Sequence, residues 1–160
     1  MLFRSMGLRE QFNDSLKEAM KSKDQRRVST LRLVLAAVKD RDIAGRTEES
    51  KAGVADDEIL AVLAKMIKQR EESAETYKGA GRTDLEDIER AEIAIIREFQ
   101  PRQLSDAEIQ TAVAKAIADS GAGSIKDMGK VMGALNAAYT GQMDFAKAGA
   151  AVKAALTPKA

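Results

Sequence analysis

The chain has 160 residues, of which 44% are hydrophobic and 32% are charged, a composition typical of a globular protein with one domain or two small ones. It contains no Cys and no His, which excludes disulfides, thiolate nucleophiles and the commonest general base and metal ligand. With 26 Lys and Arg against 25 Asp and Glu, no overall charge attracts nucleic acid or acidic membranes. We expect neither a metal nor a cofactor.

No apolar run approaches the roughly 18 residues that a membrane-spanning helix needs. The first ten residues, MLFRSMGLRE, contain too short an apolar segment for a signal peptide. The sequence therefore predicts a cytoplasmic protein without a membrane association.

Four helices are predicted in residues 1–99, because the apolar residues recur at three- and four-residue spacings and no stretch alternates as a strand does. Asp24 is expected to cap the second helix, which ends near Gly45 before the polar loop at 46–55. Asp56 and Asp57 open the third helix, and the fourth has Thr83 or Asp84 as its cap. The inward face of the first helix is predicted to consist of Leu8, Phe12, Leu16, Ala19 and Met20. That of the fourth helix is predicted to consist of Leu85, Ile88, Ile95, Ile96 and Phe99.

A boundary is predicted at QPRQLSDAE, residues 100–108, because it joins a helix-breaking Pro101 to a capping box of Ser105 and Glu108. We place a linker at residues 100–104, between a four-helix N-terminal domain (1–99) and a three-helix C-terminal domain (105–160). The fold class is therefore all-α. The inward face of the sixth helix is predicted to consist of Ile125, Met128, Met132, Leu135 and Tyr139. That of the seventh helix is predicted to consist of Ala146, Ala150 or Ala151, Ala155 and Leu156.

Three strings resemble the YqeY family: RRVSTLRLVLAAVK in the second helix, the block from MIKQREESAETYKGAGRTDL to IERAEIAIIREFQPRQLSDAEI, and DMGKVMGAL in the sixth helix. The resemblance covers about residues 8–156. The central block is its most specific part, because helix, Gly-Arg turn, acidic helix and Pro stop follow in one order. MGKVM is shared with the helical tail that one subunit of the glutaminyl- and asparaginyl-tRNA amidotransferase carries.

This resemblance implies four helices followed by three, as the periodicity does independently. In the amidotransferase, the tail helps to hold the tRNA while catalysis occurs elsewhere. The family is thereby linked to glutamine-dependent amide transfer, a carbon–nitrogen ligase reaction. The chain lacks the machinery for that chemistry, so only an assembled complex could perform it.

In the sixth helix, Gly129, Gly133 and Ala137 are spaced by four, and Lys126 and Lys130 form an adjacent strip. A helix-interior Gly costs roughly 0.8–1.0 kcal/mol relative to Ala, so a close approach to the backbone is expected in return. One interpretation is that a neighbouring helix packs there and the lysines are its solvated rim. The other is that an RNA backbone or partner surface approaches, with the lysines contacting phosphates.

Arg32, Arg70 and Glu92 are predicted to point towards the interior of the N-terminal bundle. Because buried charge is tolerated only when paired, we predict that Arg32 or Arg70 meets Glu92 or Glu89 in a structural ion pair. Glu89 and Glu92 could instead form an acid–base pair, but no nucleophile, oxyanion hole or cofactor loop accompanies them, so we predict no catalytic residue.

The second helix also carries Arg26, Arg27, Arg32, Lys39 and Arg41, a density that could form a phosphate-binding strip. Acidic residues close to this strip reduce its net positive charge.

Two functions of different class remain open. The first is a non-catalytic RNA-binding accessory module with tRNA as its ligand, in which Lys126, Gly129, Lys130 and Gly133 make the contact. The second is a helical protein-interaction module without RNA binding, with a partner in the translation or amidotransferase machinery.

Overall fold

The computed structural model describes residues 7–45 and 53–158, and in these ranges the chain forms seven α-helices and no β-strand. The helices are α1 Leu8–Ser22, α2 Gln25–Ala44, α3 Asp56–Gly79, α4 Thr83–Arg97, α5 Asp106–Ser120, α6 Met128–Ala138 and α7 Phe145–Leu156. The all-α class, with four helices followed by three, is confirmed. Most of the predicted polar loop at 46–55 lies outside the described residues.

The chain divides into two compact units, Met1–Gln100 and Pro101–Ala160. In the first, α1 to α4 enclose an apolar, mostly aliphatic core to which each helix contributes. Phe12 of α1 meets Phe99, just beyond α4, edge to face, with ring centroids 5.0 Å apart. The largest fully buried side chains here are those of Phe12, Leu31, Val34, Ile59, Leu63 and Ile96.

The second unit packs α5, α6 and α7 around a smaller core of aliphatic side chains. The segment before α5 is bonded to the turn between α6 and α7: the Leu104 amide donates to the Gln142 carbonyl at 2.7 Å, and Gln103 Nε2 donates to the Gly141 carbonyl at 2.6 Å. Residues 103–104 are thereby held to a part of the unit that lies far from them in sequence. Residues buried in its core are Ile109, Ala112, Val113, Val131, Leu135, Met143, Ala148, Val152 and Leu156.

Two predicted helix caps are confirmed. The Asp24 carboxylate accepts from the Arg27 amide at the start of α2, and Ser105 and Glu108 form the capping box of α5. The cap predicted for α4 is wrong, because Arg82 occupies the N-cap position without a side-chain cap bond and Asp84 pairs with Arg82 instead.

The inward faces were predicted with several errors. Met20, Ile88 and Ile125 are exposed by 51%, 36% and 45%, whereas Ile93 and Val131 are buried. Ile125 misses the core because it lies in a 3-10 turn, Ile125–Asp127, whose three-residue period shifts side chains away from the face of the following α-helix. In α7 the buried residues are Ala148, Val152 and Leu156, because its many alanines offer several equivalent faces and the two larger residues decide between them.

Candidate nucleic-acid interface

Helix α6 has one face in the core and one in solvent. Val131 and Leu135 are fully buried among residues of α5 and α7, with Met128 and Met132 packed beside them. The opposite face carries no large apolar side chain; its exposed residues include Gly129, Lys130, Gly133, Asn136 and Ala137. This outward face of α6 therefore presents its own backbone with little side-chain cover.

The two glycines of this face have open space in front of them. A Cβ atom built at Gly129 or at Gly133 would meet no atom within 4 Å. The expectation that a neighbouring helix of this chain packs against them is wrong for the part of the chain that the structure describes. Their cost in helix propensity is thus not offset by packing within the unit.

The close packing in this unit belongs to another glycine, Gly149 of α7. A Cβ atom at Gly149 would lie 3.8 Å from the Cε atoms of both Met128 and Met132, the side chains that face α7 from α6. The sequence contained a signal for this contact, since methionines four apart in α6 can cover a small residue on a neighbour. The sequence does not show which small residue of α7 the methionines cover, because nearly every face of that Ala-rich helix carries small residues.

The two lysines are placed differently from each other. Lys126 belongs to the 3-10 turn before α6, is exposed, and makes no ion pair or side-chain hydrogen bond to any described residue. Lys130 lies on α6, and its Nζ donates to the Ser120 carbonyl at 3.1 Å. That carbonyl lies in the last turn of α5, where carbonyls lack helical partners and attract cations. Because both lysines are exposed, both are accessible to an anion.

The amino end of the α6 segment already holds an anionic group. The Asp127 carboxylate accepts from the Gly123 amide at 3.0 Å and from the Ser124 amide at 3.3 Å, in a capping box with Ser124. A phosphate at these amides would have to displace Asp127. A ligand of this surface would therefore run along the outward face of α6, beside the lysines.

Of the four residues predicted for the structural ion pair, the structure brings together Arg70 and Glu92. Arg70 Nε donates to Glu92 Oε2 at 2.9 Å, and Arg70 Nη1 donates to the Met66 carbonyl at 3.2 Å. Both side chains are largely buried, at 15% and 17% exposure. This arrangement joins α3 to α4 and leaves the Glu92 carboxylate occupied by a guanidinium.

Arg32 and Glu89 do not take part in that pair. Arg32 is exposed on α2, so the expectation that it points inward is wrong. The residue lies at the margin of the apolar stripe of α2, and in the structure this margin faces solvent. Glu89 is half-buried on α4 and makes no ion pair with the described residues. Within the described ranges, no group of three or more acidic side chains is arranged to hold a metal ion.

No helix in residues 7–45 and 53–158 combines the length and the apolar character that crossing a membrane requires.

A family model described as Yqey-like protein matches residues 9–156 of the chain. This match extends across both compact units and includes α6 with its outward face.

Curated relatives match over shorter stretches. The chain is 34% identical over 84 residues to Altered inheritance of mitochondria protein 41, mitochondrial, of Clavispora lusitaniae, covering 52% of this chain and 46% of that protein. It is 31% identical over 106 residues to the protein of the same name from Lachancea thermotolerans, covering 65% and 54%. An uncharacterized protein of Schizosaccharomyces pombe is 33% identical over 91 residues, covering 57% of this chain and 70% of its own length. The chain spans about half the length of the mitochondrial relatives it matches.

Proposed function

Because the chain belongs to the family of Yqey-like proteins, we propose that it is a non-catalytic RNA-binding accessory module, with tRNA as its ligand. The proposal rests on the likeness between this family and the helical tail of the tRNA-dependent amidotransferase. The contact surface is the outward face of α6 together with Lys126. Any part in glutamine-dependent amide transfer would then be that of a module that holds the RNA within a larger assembly.

One observation carries the proposal: the outward face of α6 leaves Gly129 and Gly133 uncovered, with nothing within 4 Å of a Cβ at either position. An exposed helix gains stability when such glycines are replaced by Ala. Two uncovered glycines, one turn apart, are favoured where another molecule must approach the backbone closely. Lys126 and Lys130 lie beside this surface and supply cations for phosphates.

The composition of the surface favours recognition of an RNA backbone over recognition of bases. Its exposed residues include no aromatic ring on which a base could stack, and Tyr139 is packed against the core of the unit. Ammonium groups contact phosphates irrespective of sequence. Binding should therefore depend on salt and on RNA shape more than on base sequence.

The test compares two double variants of the full chain in a tRNA-binding assay over a range of salt concentrations. Lys126→Ala plus Lys130→Ala should weaken binding and reduce the slope of log Kd against log salt by about two, because each phosphate contact contributes about one. Lys65→Ala plus Lys68→Ala in α3 removes the same charge from exposed lysines elsewhere and should leave the slope unchanged.

Two results would contradict the proposal: no tRNA affinity even at low ionic strength, or an equal loss in both double variants. Salt-insensitive co-purification of one protein, without RNA, would favour the alternative, a helical protein-interaction module.

A further inference from the structure

Two arginines of α2 differ from the other arginines in the part of the chain that the structure describes. Each of the other eight has a carboxylate within salt-bridge distance; they are Arg9, Arg27, Arg41, Arg70, Arg82, Arg90, Arg97 and Arg102. Arg26 and Arg32 are exposed, and no described acidic side chain pairs with them. The other described arginines of this unit are paired, whereas the described residues leave these two guanidinium groups open to a carboxylate of a partner.

An apolar stripe runs beside these arginines on the same helix. Leu33 is exposed by 48% and Ile43 by 54%, and the exposed Ala36 lies between them. Spacings of three and seven residues place the three side chains on one side of α2. We call Leu33, Ala36 and Ile43 the outer stripe of α2.

The outer stripe is not needed for the core of its own unit. That core takes Val28, Leu31, Val34 and Val38 from the opposite side of α2. Leu33 and Ile43 remain about half exposed, and apolar surface in contact with water is unfavourable and can be covered by a partner. The stripe is therefore a surface that the described residues of this unit leave open to a partner.

Charge selects the kind of partner. Arg26, Arg32 and Lys39 border the outer stripe as exposed cations without a described acidic partner. Two exposed acids lie near them: Asp24, which caps α2, and Asp40, which lies between Ala36 and Ile43 on the stripe side of the helix. Carboxylates bind guanidinium groups through two parallel hydrogen bonds, which adds geometric selectivity to the charge. The matching surface therefore combines apolar residues with flanking Asp or Glu.

We propose that the outer stripe of α2 docks an acidic amphipathic helix of a partner protein. Apolar residues of that helix, at three- and four-residue spacing, cover Leu33, Ala36 and Ile43, while its flanking carboxylates bind Arg26 and Arg32. RNA fits this face less well, because phosphates gain nothing from covering Leu33 and Ile43. The inference is independent of the tRNA proposal, which concerns the other compact unit.

The first step of the test is photo-crosslinking in cells with the full chain. The probe is p-benzoylphenylalanine placed at Leu33, and the matched control is the same probe at Ile88 of α4, which is exposed by 36% and has Asp84 and Asp87 as neighbours in sequence. We expect one protein to be crosslinked from position 33 and not from position 88. Mass spectrometry of the crosslinked peptide should locate it in an acidic amphipathic helix.

The second step measures binding of that purified protein to charge-reversed variants. Arg26→Glu plus Arg32→Glu should weaken binding at low salt by about tenfold or more, and replacing the partner's facing acids by Lys should restore it. Lys65→Glu plus Lys68→Glu changes the net charge equally on α3 and should have little effect.

The proposal is overturned if position 33 crosslinks only to RNA, to a second copy of this chain, or to a segment without acidic residues, or if it gives no crosslink. It is also overturned if the two charge reversals weaken binding equally. Circular dichroism of each variant separates loss of binding from loss of folding.

Discussion

At the scale of single residues, Gly133 lowers the stability of α6 without a packing gain within its unit. Gly133→Ala should raise the free energy of unfolding by about 0.5–1 kcal/mol, because Ala has the higher helix propensity and its Cβ meets open space. Urea denaturation of both proteins measures the difference. Gly121→Ala is the control with the opposite sign: Gly121 has φ +68° at the end of α5, so Ala there should cost about 1 kcal/mol. A loss of stability in Gly133→Ala would mean that the position is packed.

A second prediction concerns Thr30, the buried polar residue of α2. Its Oγ1 is buried and has no hydrogen-bond partner among the described residues. Thr30→Val replaces the hydroxyl by a methyl group of similar shape and should stabilise the protein by about 1 kcal/mol, because an unpaired buried hydroxyl is unfavourable. Thr111→Val is the control, since Thr111 Oγ1 donates to the Ala107 carbonyl at 3.2 Å on an exposed face. Should Thr30→Val destabilise the protein in the same urea assay, the hydroxyl must have a partner.

Single residues of the candidate site differ in how far the sequence could predict them. The spacing of Gly129 and Gly133 is visible in the sequence, and so is the inward position of Arg70. The sequence could not decide whether a neighbouring helix packs against the glycines or an outside molecule approaches them. The answer depends on where the neighbouring helices lie. Arg32 lies at the edge of a hydrophobic stripe, where a small rotation of α2 decides between burial and solvent.

At the scale of helices, the start of α5 depends on a small network of charged and backbone groups. Arg102 Nη2 donates to Glu108 Oε2 at 2.8 Å, and the Ser105 amide donates to Glu108 Oε1 at 3.0 Å. The Arg102 guanidinium, and then the Ser105 amide, lower the pKa of Glu108 from 4.5 to about 2. The folded protein therefore favours the ionised carboxylate.

This network predicts a pH dependence of stability. A lowered folded-state pKa means that the contribution of Glu108 is complete above about pH 4.5 and is lost as the pH falls towards 2. Glu108→Gln should lower the urea midpoint at pH 6. The difference in urea midpoint between this variant and the parent chain should become smaller as the pH falls to about 3. Asp119→Asn, an exposed acid of α5 without an ion pair to the described residues, serves as the control. A gap that stays constant with pH would contradict this role of Glu108.

Helix ends were predictable where one local signal decides them. The caps at Asp24 and Ser105 are formed within three residues, so the sequence contains all of the interacting groups. At α4 two local contacts compete: Asp84 can cap the helix or pair with Arg82, and the structure has the ion pair. The core positions of Ile93 and Val131 were harder to predict. Where a helix has a wide apolar face, the periodicity does not show which residues lie at the centre of that face.

At the scale of the whole molecule, the chain comprises two compact units that the family model matches together, over residues 9–156. The cytoplasmic location predicted from the sequence stays a prediction, and the names of several relatives place those proteins in mitochondria. The two units carry different candidate surfaces, the outward face of α6 and the outer stripe of α2. Each can therefore be altered while the other is kept intact.

RNA binding as we propose it requires that the outward face of α6 is open in the free protein, so that an RNA backbone can approach it. The most direct measurement is to determine both the stability and the tRNA affinity of Gly133→Leu, with Ala114→Leu on the exposed face of α5 as the control. We expect Gly133→Leu to fold with unchanged or higher stability, because nothing lies within 4 Å of a Cβ at this exposed position, yet to bind tRNA more weakly than the parent chain and the control. Unfolding of Gly133→Leu, or tRNA binding equal to that of the parent chain, would contradict it.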